Sequence, residues 1–449
     1  MVHVVPVTPS WPEGSGQYRC GVLARLDLRG VTDLGAALPR PFVAGEAEVV
    51  EAVRAILADV QERGDVAIRE LTKRFDGVDI DELVVPDADC KRALESIAPA
   101  LRQALELAAA NVRDFAAVEA STDLRYERDG LVVRTLRRPV DRAGCYVPGG
   151  RAVYPSTVLM TAVPARVAGV GDVVLCVPPD RDGNVPDVVL AAAAIAEVDA
   201  VYRVGGAQAI AAMAYGTASI PAVDVIVGPG SVYVAVAKRE VAGEGRVGIP
   251  SAFAGPSEVV VIADESTAPA VAAIDIIVQA EHGPDGLAWL ITWSEAAADA
   301  VSAAVEGLAR DATRREEIES TLDTNGRCVL VDGPEQAIAV ANLIAPEHLE
   351  LLNADPELLV PLVRHAGAVF CGPLAPASLG DYVAGPSHVL PTHGSARYSG
   401  ALTADDFTKP LHVIDVDRKA FDRLGPAVVE LAMAEGLTAH ADSIRLRRR

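Results

Sequence analysis

Apolar residues recur at helical spacing in the first part of the chain and then gather in short runs typical of buried strands. A stripe of aliphatic residues at intervals of three and four positions predicts an amphipathic helix over 46–64. Further helices are expected up to residue 75 and over 91–118, the second one kinked at Pro99. The amino-terminal part of the chain is therefore predicted to be mainly helical.

From residue 131 onward, short apolar segments alternate with Ala-rich helical segments. Strands are expected at 132–136, 172–176, 200–204, 223–227, 258–263, 287–293, 328–331 and 368–370. Helices are expected at 157–168, 187–197, 207–215, 231–241, 269–281, 295–309, 334–345, 356–365 and 420–435. Strands that alternate with helices form parallel sheets covered on both faces, so the pattern predicts an α/β fold.

The alternation falls into two successive units, which predicts two Rossmann-like parallel-sheet domains with small extensions at both ends. The expected division is an N-terminal extension over 1–40, a discontinuous first domain over 41–145 and 257–402, a second domain over 146–256, and a C-terminal extension over 403–449. The last segment is too short to bury a core alone. We expect it to dock on the body of the protein or on a partner subunit.

Charge and composition exclude several classes of protein. The 449 residues carry 40 Lys and Arg against 62 Asp and Glu, a formal net charge of −22, which disfavours binding to nucleic acid. The six cysteines form no CxxC pair, as is usual in a reducing cytosol. No secretory signal and no long apolar span is visible. We therefore expect a soluble cytoplasmic protein without nucleic-acid or membrane partners.

Three junctions between a predicted strand and the following helix are rich in glycine. They are Gly149-Gly150, Gly205-Gly206-Ala207-Gln208 and Gly228-Pro229-Gly230-Ser231. Glycine lets a backbone approach a phosphate, and a helix N-terminus favours an anion. None matches the G-x-G-x-x-G dinucleotide motif, so each junction taken alone could be an ordinary tight turn. Because all three lie at corresponding strand ends, a nucleotide or phosphate site remains a second interpretation.

Two short motifs combine groups able to ligate a metal or move protons. Gln279 and His282 are three residues apart and share a helix face, so an amide oxygen and an imidazole could bind one ion. Glu347 and His348 are adjacent and could form an acid/base pair. Each motif on its own is common on protein surfaces.

Two further segments bring a carboxylate and an imidazole close together in the chain. Asp381 and His388 lie in a loop punctuated by glycine and proline, and Glu435 and His440 follow the last predicted helix. The first could be a plain connection, and the second could be an ordinary helix end with a favourable histidine.

In their order along the chain, these segments resemble the histidinol dehydrogenase family, over about residues 40–445. The resemblance rests on Tyr146-Val147-Pro148-Gly149-Gly150, Gly205–Ala212, Gly228-Pro229-Gly230, Ala254-Gly255-Pro256-Ser257-Glu258, Gln279–Gly283, Pro346-Glu347-His348-Leu349, Gly380-Asp381-Tyr382, His388–Thr392 and Leu437–His440. Each motif is modest, whereas the ordered set is very specific.

The resemblance implies a zinc-dependent enzyme that oxidises L-histidinol to L-histidine with two NAD+, as a homodimer whose tails cross between subunits and share the active sites. By matching motifs, the ligands of one zinc ion per subunit would be Gln279, His282, Asp381 and His440. This set suits zinc and could also accept manganese or cobalt. The first predicted domain would carry the metal and the catalytic pair, and the second the NAD.

The same resemblance assigns further contacts. Besides the four metal ligands and His348, the substrate would touch Ser257, His388 and Glu435, and NAD would touch Tyr146, Gln208 and Ser231. The family usually has Asn where this chain has Ser231, and an amide residue often precedes the histidine at 388, where this chain has Ser387. We expect both departures to tune affinity rather than abolish function.

In this interpretation His348 is the base that takes the alcohol proton as hydride leaves, and Glu347 activates the water that hydrates the aldehyde before the second oxidation. Two competing hypotheses come from other classes of protein. A zinc hydrolase would use Glu347 to activate water without hydride chemistry, and NAD binding would distinguish it. A non-catalytic metal- or nucleotide-binding protein would be insensitive to replacement of His348.

Overall fold

The computed structural model describes residues 17–19, 22–38, 47–150, 152–250, 257–283 and 286–448. Within them the chain forms two mainly parallel sheets covered by helices, together with a small antiparallel sheet. The predicted α/β fold with two parallel-sheet domains is thereby confirmed. Most of the expected N-terminal extension, and the Ala254-Gly255-Pro256 part of the family resemblance, lie outside the described residues.

The larger sheet has seven strands. In spatial order they are β1 (Gln17–Arg19), β2 (Ala24–Asp27), β12 (Gly326–Leu330), β11 (Leu287–Thr292), β10 (Glu258–Ile262), β13 (His348–Leu351) and β14 (Ala368–Cys371). All are parallel to their neighbours except β1, which is antiparallel to β2. The central strands are almost completely buried, as expected for a sheet covered on both faces.

The smaller sheet has five strands. In spatial order they are β3 (Val84–Val85), β8 (Ala200–Tyr202), β7 (Asp172–Cys176), β6 (Arg142–Tyr146) and β9 (Val225–Val227). Only β3 is antiparallel. From β6 the chain moves to one side through β7 and β8 and then returns to the other side as β9. This reversal next to β6 is the kind of switch point at which α/β sheets bind ligands.

Helices cover both sheets. They are α1 (Leu34–Ala37), α2 (Ala47–Arg63), α3 (Asp65–Phe75), α4 (Asp87–Ser96), α5 (Pro99–Glu119), α6 (Pro155–Val167), α7 (Asp187–Ile195), α8 (Gly206–Tyr215), α9 (Val232–Gly243), α10 (Pro269–Ala280), α11 (Glu295–Asp311), α12 (Arg315–Asn325), α13 (Pro334–Ile344), α14 (Ala377–Tyr382), α15 (Arg418–Ala434) and α16 (Thr438–Arg447). Among the described residues, no helix is both long and apolar enough to span a bilayer.

An arm built from two distant parts of the chain projects from this body. Its sheet consists of β4 (Leu124–Arg128), β5 (Leu131–Pro139) and β15 (Thr408–Val416), which are antiparallel. Helices α15 and α16 follow β15 and pack on one another. Large apolar side chains are exposed along the arm, among them Leu124, Leu411, Ile414, Leu431 and Leu446.

The packing differs from the expected division of the chain. Helices α2 and α3 pack on α8 and α9 and share one core with strands β7 and β8. Helices α4 and α5 pack on α7 and α6 at the other face of the same sheet. Residues 47–119 therefore lie with the smaller sheet, although the sequence analysis grouped them with 257–402. Helical periodicity identifies an apolar face without specifying the sheet that this face covers.

Three local predictions differ from the structure. The expected helix over 91–118 is two helices, because Pro99 occupies the first turn of α5 and so starts a helix instead of kinking one. The helix expected over 356–365 consists of two short 3-10 turns, each beginning around a proline. Strand β13 was not expected, because four buried residues are too short a pattern to identify.

Candidate active site

Glu347 and His348 stand at the amino end of β13, which lies between β10 and the edge strand β14 of the larger sheet. Both side chains are buried, with exposed fractions of 6% and 4%. His348 pairs in register with Val259 of β10, whose side chain packs in the core on the side of α10 and α11. Alternation along the strand therefore directs His348 toward the face that α10 covers.

The His348 ring is fixed on both sides. Its Nδ1 lies 3.1 Å from the carbonyl oxygen of Glu258, which accepts a hydrogen bond from the Nδ1–H tautomer. The ring also lies 5.8 Å, between centroids, from that of Phe370. Its Nε2 is 3.4 Å from Asp381 Oδ1, which is long for a hydrogen bond, and finds no other partner among the described residues. Nε2 is therefore the atom of the pair that is available for a reacting group.

Glu347 is held beside the imidazole. Its Oε2 accepts a hydrogen bond of 2.9 Å from the backbone N–H of Glu258 and lies 3.6 Å from His348 Nδ1. The side chain of Ser257 also donates to this carboxylate. A carboxylate with two donors keeps one orientation.

The electrostatic environment raises the pKa of both members of the pair. Burial raises the pKa of Glu347 to about 7, although the neighbouring imidazole opposes this change. Burial alone would lower the pKa of His348, but the carboxylates of Glu347 and Asp381 outweigh it and raise that pKa to about 9. Perturbed carboxyl and imidazole groups in contact are typical of acid/base sites.

Two of the four predicted metal ligands, His282 and Asp381, lie close together beside this pair, and Gln279 lies three residues before His282. Gln279 ends α10 with its side chain 4% exposed, and its Nε2 has no partner in the described part of the chain. His282 follows one turn later, and its Nδ1 contacts the carbonyl oxygen of Val278 at 3.1 Å. Asp381 lies in the last turn of α14. Burial opposes its ionisation, but His348, His388 and His282 hold its pKa below the usual range.

These donors fit a bound cation. The hydrogen bond from Nδ1 of His282 to a backbone carbonyl leaves Nε2 to face a metal, as is usual for metal-ligating histidines. The buried amide of Gln279 has an Nε2 without a hydrogen-bond partner among the described residues, so the amide can present its oxygen to a cation without breaking a hydrogen bond of that nitrogen. Asp381 is ionised and supplies the negative charge.

His388 joins the two parallel-sheet domains at this point. Its Nδ1 lies 2.9 Å from the carbonyl oxygen of Asp381, and its Nε2 lies 3.0 Å from Thr157 Oγ1 on α6. The neighbouring Ser387 donates to the carbonyl of Met160 on the same helix at 3.0 Å. His388 and Ser387 therefore connect α6 of the smaller sheet to Asp381, one of the predicted ligands beside the larger sheet.

Two of the predicted site residues, Glu435 and His440, lie on the arm and not with the Glu347–His348 pair of the same chain. Both are exposed, at the end of α15 and in the first turn of α16 on the arm. The charged groups that shift the pKa values of His348, Asp381 and His388 include neither of them. Across the described ranges, no three His, Cys, Asp or Glu side chains form a group able to hold a metal. The body itself contributes only His282, Asp381 and the amide of Gln279 to the predicted set.

The predicted NAD contacts gather at the carboxyl end of the smaller sheet. Tyr146 ends β6, Gln208 lies in the first turn of α8 after β8, and Ser231 caps α9 after β9. Tyr146 and the junction after β9 flank the switch point between β6 and β9, so two of the three glycine-rich junctions lie at the edge where α/β sheets usually bind ligands.

The glycines at these junctions are required by close contacts. Gly228 has φ +106°, and a Cβ there would lie 2.0 Å from the carbonyl oxygen of Tyr146. The Tyr146 hydroxyl accepts a hydrogen bond of 3.1 Å from the N–H of Gly206. Lys238, buried in α9, donates to the carbonyl of Gly228. Gln208 is also buried, and its Nε2 has no partner within the described residues.

Two residues of the site have no role in the sequence analysis. Glu258 fixes Glu347 and His348 through its backbone, and burial raises the pKa of its own carboxyl to about 8. Its place directly after Ser257, in a segment of the family resemblance, is the signal that could have identified it. Thr157 contacts His388 but lies in a helix that is apolar on all sides, so its sequence context carries no such signal.

Known proteins that are similar to this chain identify its family. The chain matches the protein family described as Histidinol dehydrogenase over residues 42–448. It is 50% identical to a histidinol dehydrogenase of Parasynechococcus marenigrum over 396 residues, which cover 88% of this chain and 90% of that protein. A Pseudomonas putida relative of the same name is 49% identical, with 87% and 89% covered. The crystal structure of histidinol dehydrogenase from Elizabethkingia anophelis is similar with a TM-score of 0.90 at 33% identity, covering 96% of this chain and 99% of that one.

Proposed function

Because the chain belongs to the histidinol dehydrogenase family, we propose that it oxidises L-histidinol through L-histidinal to L-histidine with two NAD+, the last step of histidine biosynthesis, in the cytoplasm. The observation that best supports this activity is the buried Glu347–His348 pair, whose free imidazole nitrogen lies next to Asp381. An acid/base pair beside a set of metal ligands suits an alcohol oxidation that must move protons at neutral pH.

The proposed metal is one zinc ion per subunit, held by Gln279, His282 and Asp381 with His440 as the fourth ligand. When bound, it would orient the substrate's imidazole and amino nitrogens and lower the energy of charge that develops there. A cation on Asp381 also neutralises one of the two carboxylates beside His348. The pKa of the imidazole would then move from about 9 toward neutrality.

In the first oxidation His348 is the base. Its Nδ1–H is fixed on the carbonyl of Glu258, so Nε2 faces the substrate and takes the hydroxyl proton. The carbon that bears this hydroxyl loses hydride to the nicotinamide. Acceptance of hydride is the chemistry that NAD+ would supply when bound. Ser257 and His388 line the place of the substrate and fix its orientation.

In the second oxidation Glu347 activates water. An aldehyde has no hydroxyl on the carbon that must lose hydride, so it first has to be hydrated. With a pKa of about 7, the buried carboxylate of Glu347 can take a proton from water under physiological conditions. His348 then removes the proton of the hydrate as the second hydride leaves.

The dinucleotide is proposed to bind at the carboxyl end of the smaller sheet. Tyr146 and Gln208 would contact it there, and the hydroxyl of Ser231 is exposed at the N-terminus of α9 with no capping bond of its own. Helix N-termini favour phosphate groups. Ser231 has a shorter reach than the asparagine usual at this position, so we expect it to affect affinity for NAD rather than turnover.

The arm supports a homodimer with shared active sites. It exposes large apolar side chains on β15 and on both C-terminal helices, a pattern that marks surfaces which bind another protein. Glu435 and His440 lie on this arm and are absent from the cluster of their own chain. A symmetric dimer in which each arm crosses to the partner would bring both residues to the neighbouring site.

The experiment that tests this function measures NADH production from L-histidinol, with and without a strong chelator, and counts NADH per substrate consumed. We expect two NADH per histidinol, loss of activity on chelation and recovery with zinc. One NADH with released aldehyde would contradict the role of Glu347. Absence of NADH, combined with zinc-dependent hydrolysis and no NAD binding, would favour a zinc hydrolase instead.

A further inference from the structure

Two buried carboxyl groups lie next to the proposed zinc site and belong neither to the ligand set nor to the acid/base pair. Glu350 is on β13, two residues after His348, and is completely buried. Asp275 is on α10, four residues before Gln279, and is 8% exposed. The two side chains are close enough to share a hydrogen bond. Buried carboxyls in contact need a specific reason, because burying charge is unfavourable.

The strand and helix periodicities direct both groups to the same layer as the site. Glu350 is in register with Val261, which packs on the α10 side of the sheet, and alternation puts it on the same face as His348. On α10, positions 275 and 279 are four residues apart and share one helix face. His282 lies two residues beyond the end of that helix. The carboxyl pair therefore lies about one helical turn from the proposed ligands.

Glu350 also holds the short helix that carries Asp381. Its Oε1 accepts a hydrogen bond of 2.9 Å from the backbone N–H of Ala377, the first residue of α14. The capping residue Pro376 offers no side-chain hydrogen bond to this helix. Near its other end, Gly380 lies against the Phe370 ring, where a Cβ would come within 2.6 Å. These contacts determine where Asp381 stands.

The second carboxyl oxygen of Glu350, Oε2, indicates that the two groups share a proton. Glu350 Oε2 has no hydrogen-bond donor among the described residues when both carboxyls are ionised. Two carboxylates only accept hydrogen bonds, so the pair is satisfied when it shares one proton. In agreement with this, burial raises the pKa of both groups, that of Glu350 to about 9.

We propose that the buried carboxyls of Asp275 and Glu350 act as one positioning pair, which holds α10 and α14 at the spacing that the bound cation requires. Glu350 links β13 to the start of α14, and its hydrogen bond with Asp275 adds α10. Gln279 and His282 then stand at a fixed distance from Asp381. This inference rests on the proposed zinc site, because the spacing of these residues matters only if they bind one cation.

The test is the zinc affinity of the full-length protein, measured by competition with a chromophoric chelator after the protein has been stripped of metal. Glu350→Leu removes both hydrogen bonds, and we expect it to lower zinc affinity by about 10–100-fold, as is usual for groups that orient metal ligands. Glu350→Gln keeps an acceptor for Ala377 and gains a donor toward Asp275. It is therefore expected to retain wild-type affinity and to rescue the loss.

Asp264→Asn is the matched control. Asp264 accepts a backbone N–H from Ala354 at 3.1 Å, as Glu350 does from Ala377, but at the opposite end of the same sheet. It should leave zinc affinity unchanged. The KM for NAD should also stay unchanged in every variant, because the proposed dinucleotide contacts lie on the smaller sheet. If Glu350→Leu does not fold, Asp275→Ala, which preserves the Ala377 hydrogen bond, is expected to show the loss of affinity.

Three results would overturn the proposal. Folded Glu350→Leu or Asp275→Ala protein that binds zinc like the wild type would show that the pair has no effect on the ligands. An equal loss in Glu350→Gln and Glu350→Leu would show that charge, rather than hydrogen bonding, is responsible. A wild-type protein that does not bind zinc would instead contradict the proposed function, so the two failures remain distinguishable.

Discussion

At the scale of single residues, the chemistry depends on which atom of each side chain is left available. The His348 ring is fixed through Nδ1, and the Glu347 carboxylate is fixed through Oε2. His348 Nε2 therefore remains for a reacting group, while the Glu347 carboxylate also accepts a hydrogen bond from the Ser257 side chain. Since both side chains are buried, a substitution here changes the protonation chemistry as well as the packing.

Replacement of His348 by alanine should lower kcat by about 10²–10⁴-fold, the range found when a general base is lost. The measurement is the initial rate of NADH formation from histidinol at saturating zinc. His412→Ala is the control, because His412 pairs with Thr135 in the arm sheet and belongs to neither predicted site. A His348→Ala protein that keeps wild-type turnover would exclude this residue as the base.

Replacement of Glu347 by glutamine should separate the two oxidations. The amide retains an acceptor for the Glu258 N–H but cannot take a proton from water, so hydration of the aldehyde should slow while alcohol oxidation continues. We expect about one NADH per histidinol and accumulation of histidinal. Product analysis by chromatography gives the ratio directly. Formation of two NADH at the wild-type rate would assign water activation to another group.

The pKa of Glu347 also predicts how aldehyde oxidation depends on pH. Burial raises this pKa to about 7, and only the ionised form accepts a proton. With histidinal as the substrate, kcat should be constant above that pH and fall by about tenfold per pH unit below it. The opposite trend, with turnover increasing in acid, would mean that the protonated carboxyl is the active form.

At the scale of elements, the sequence predicts the strands and helices better than their partners. Apolar alternation locates β7 at 172–176 and α10 near its observed end, because buried elements leave a strong periodic signal. The same signal could not assign residues 47–119 to the smaller sheet. It also missed β13, a strand of only four residues in which the polar residues His348 and Glu350 interrupt the apolar pattern. Local patterns report burial, whereas the choice of neighbour depends on contacts distant in sequence.

The candidate site shows the same division between local and distant information. Motif resemblance identified residues such as Gln279, His282, His348 and Asp381, whose geometry the structure now describes. The roles of Glu258 as a backbone anchor and of Thr157 as the contact of His388 depend on approaches between segments about 90 to 230 residues apart. Neither residue type nor spacing along the chain reveals such contacts.

The loop between β9 and α9, which begins at Gly228, is predicted to affect the KM for NAD. Gly228→Ala would place a Cβ against the Tyr146 carbonyl at positive φ, so the loop would have to move. Strain of about 1–3 kcal/mol corresponds to roughly a 5–150-fold rise in KM for NAD if it acts on binding. Gly243→Ala, at the end of α9, has open space around it and is the control. Equal KM values for the two variants would remove this loop from the dinucleotide site.

At the scale of the whole molecule, the arm determines whether one chain has a complete site. Variants His348→Ala and His440→Ala are each expected to be inactive alone. If the sites are shared, mixing and reassociating them in equal amounts gives heterodimers with one intact site, and about a quarter of wild-type activity should return. No recovery, in a sample shown by native mass spectrometry to contain heterodimers, would place both residues in the site of a single subunit.

The meeting of the two sheets at His388 also has a consequence for how the molecule unfolds. Each sheet buries its own cores, so each body has its own source of stability. The proposed dinucleotide contacts and the acid/base pair belong to different bodies, and a ligand that spans them would bind only while both are folded. Its binding free energy is then lost when either body opens. If the ligands bind as proposed, substrate and cofactor couple the unfolding of the two bodies, and the two should unfold together on heating when both ligands are present.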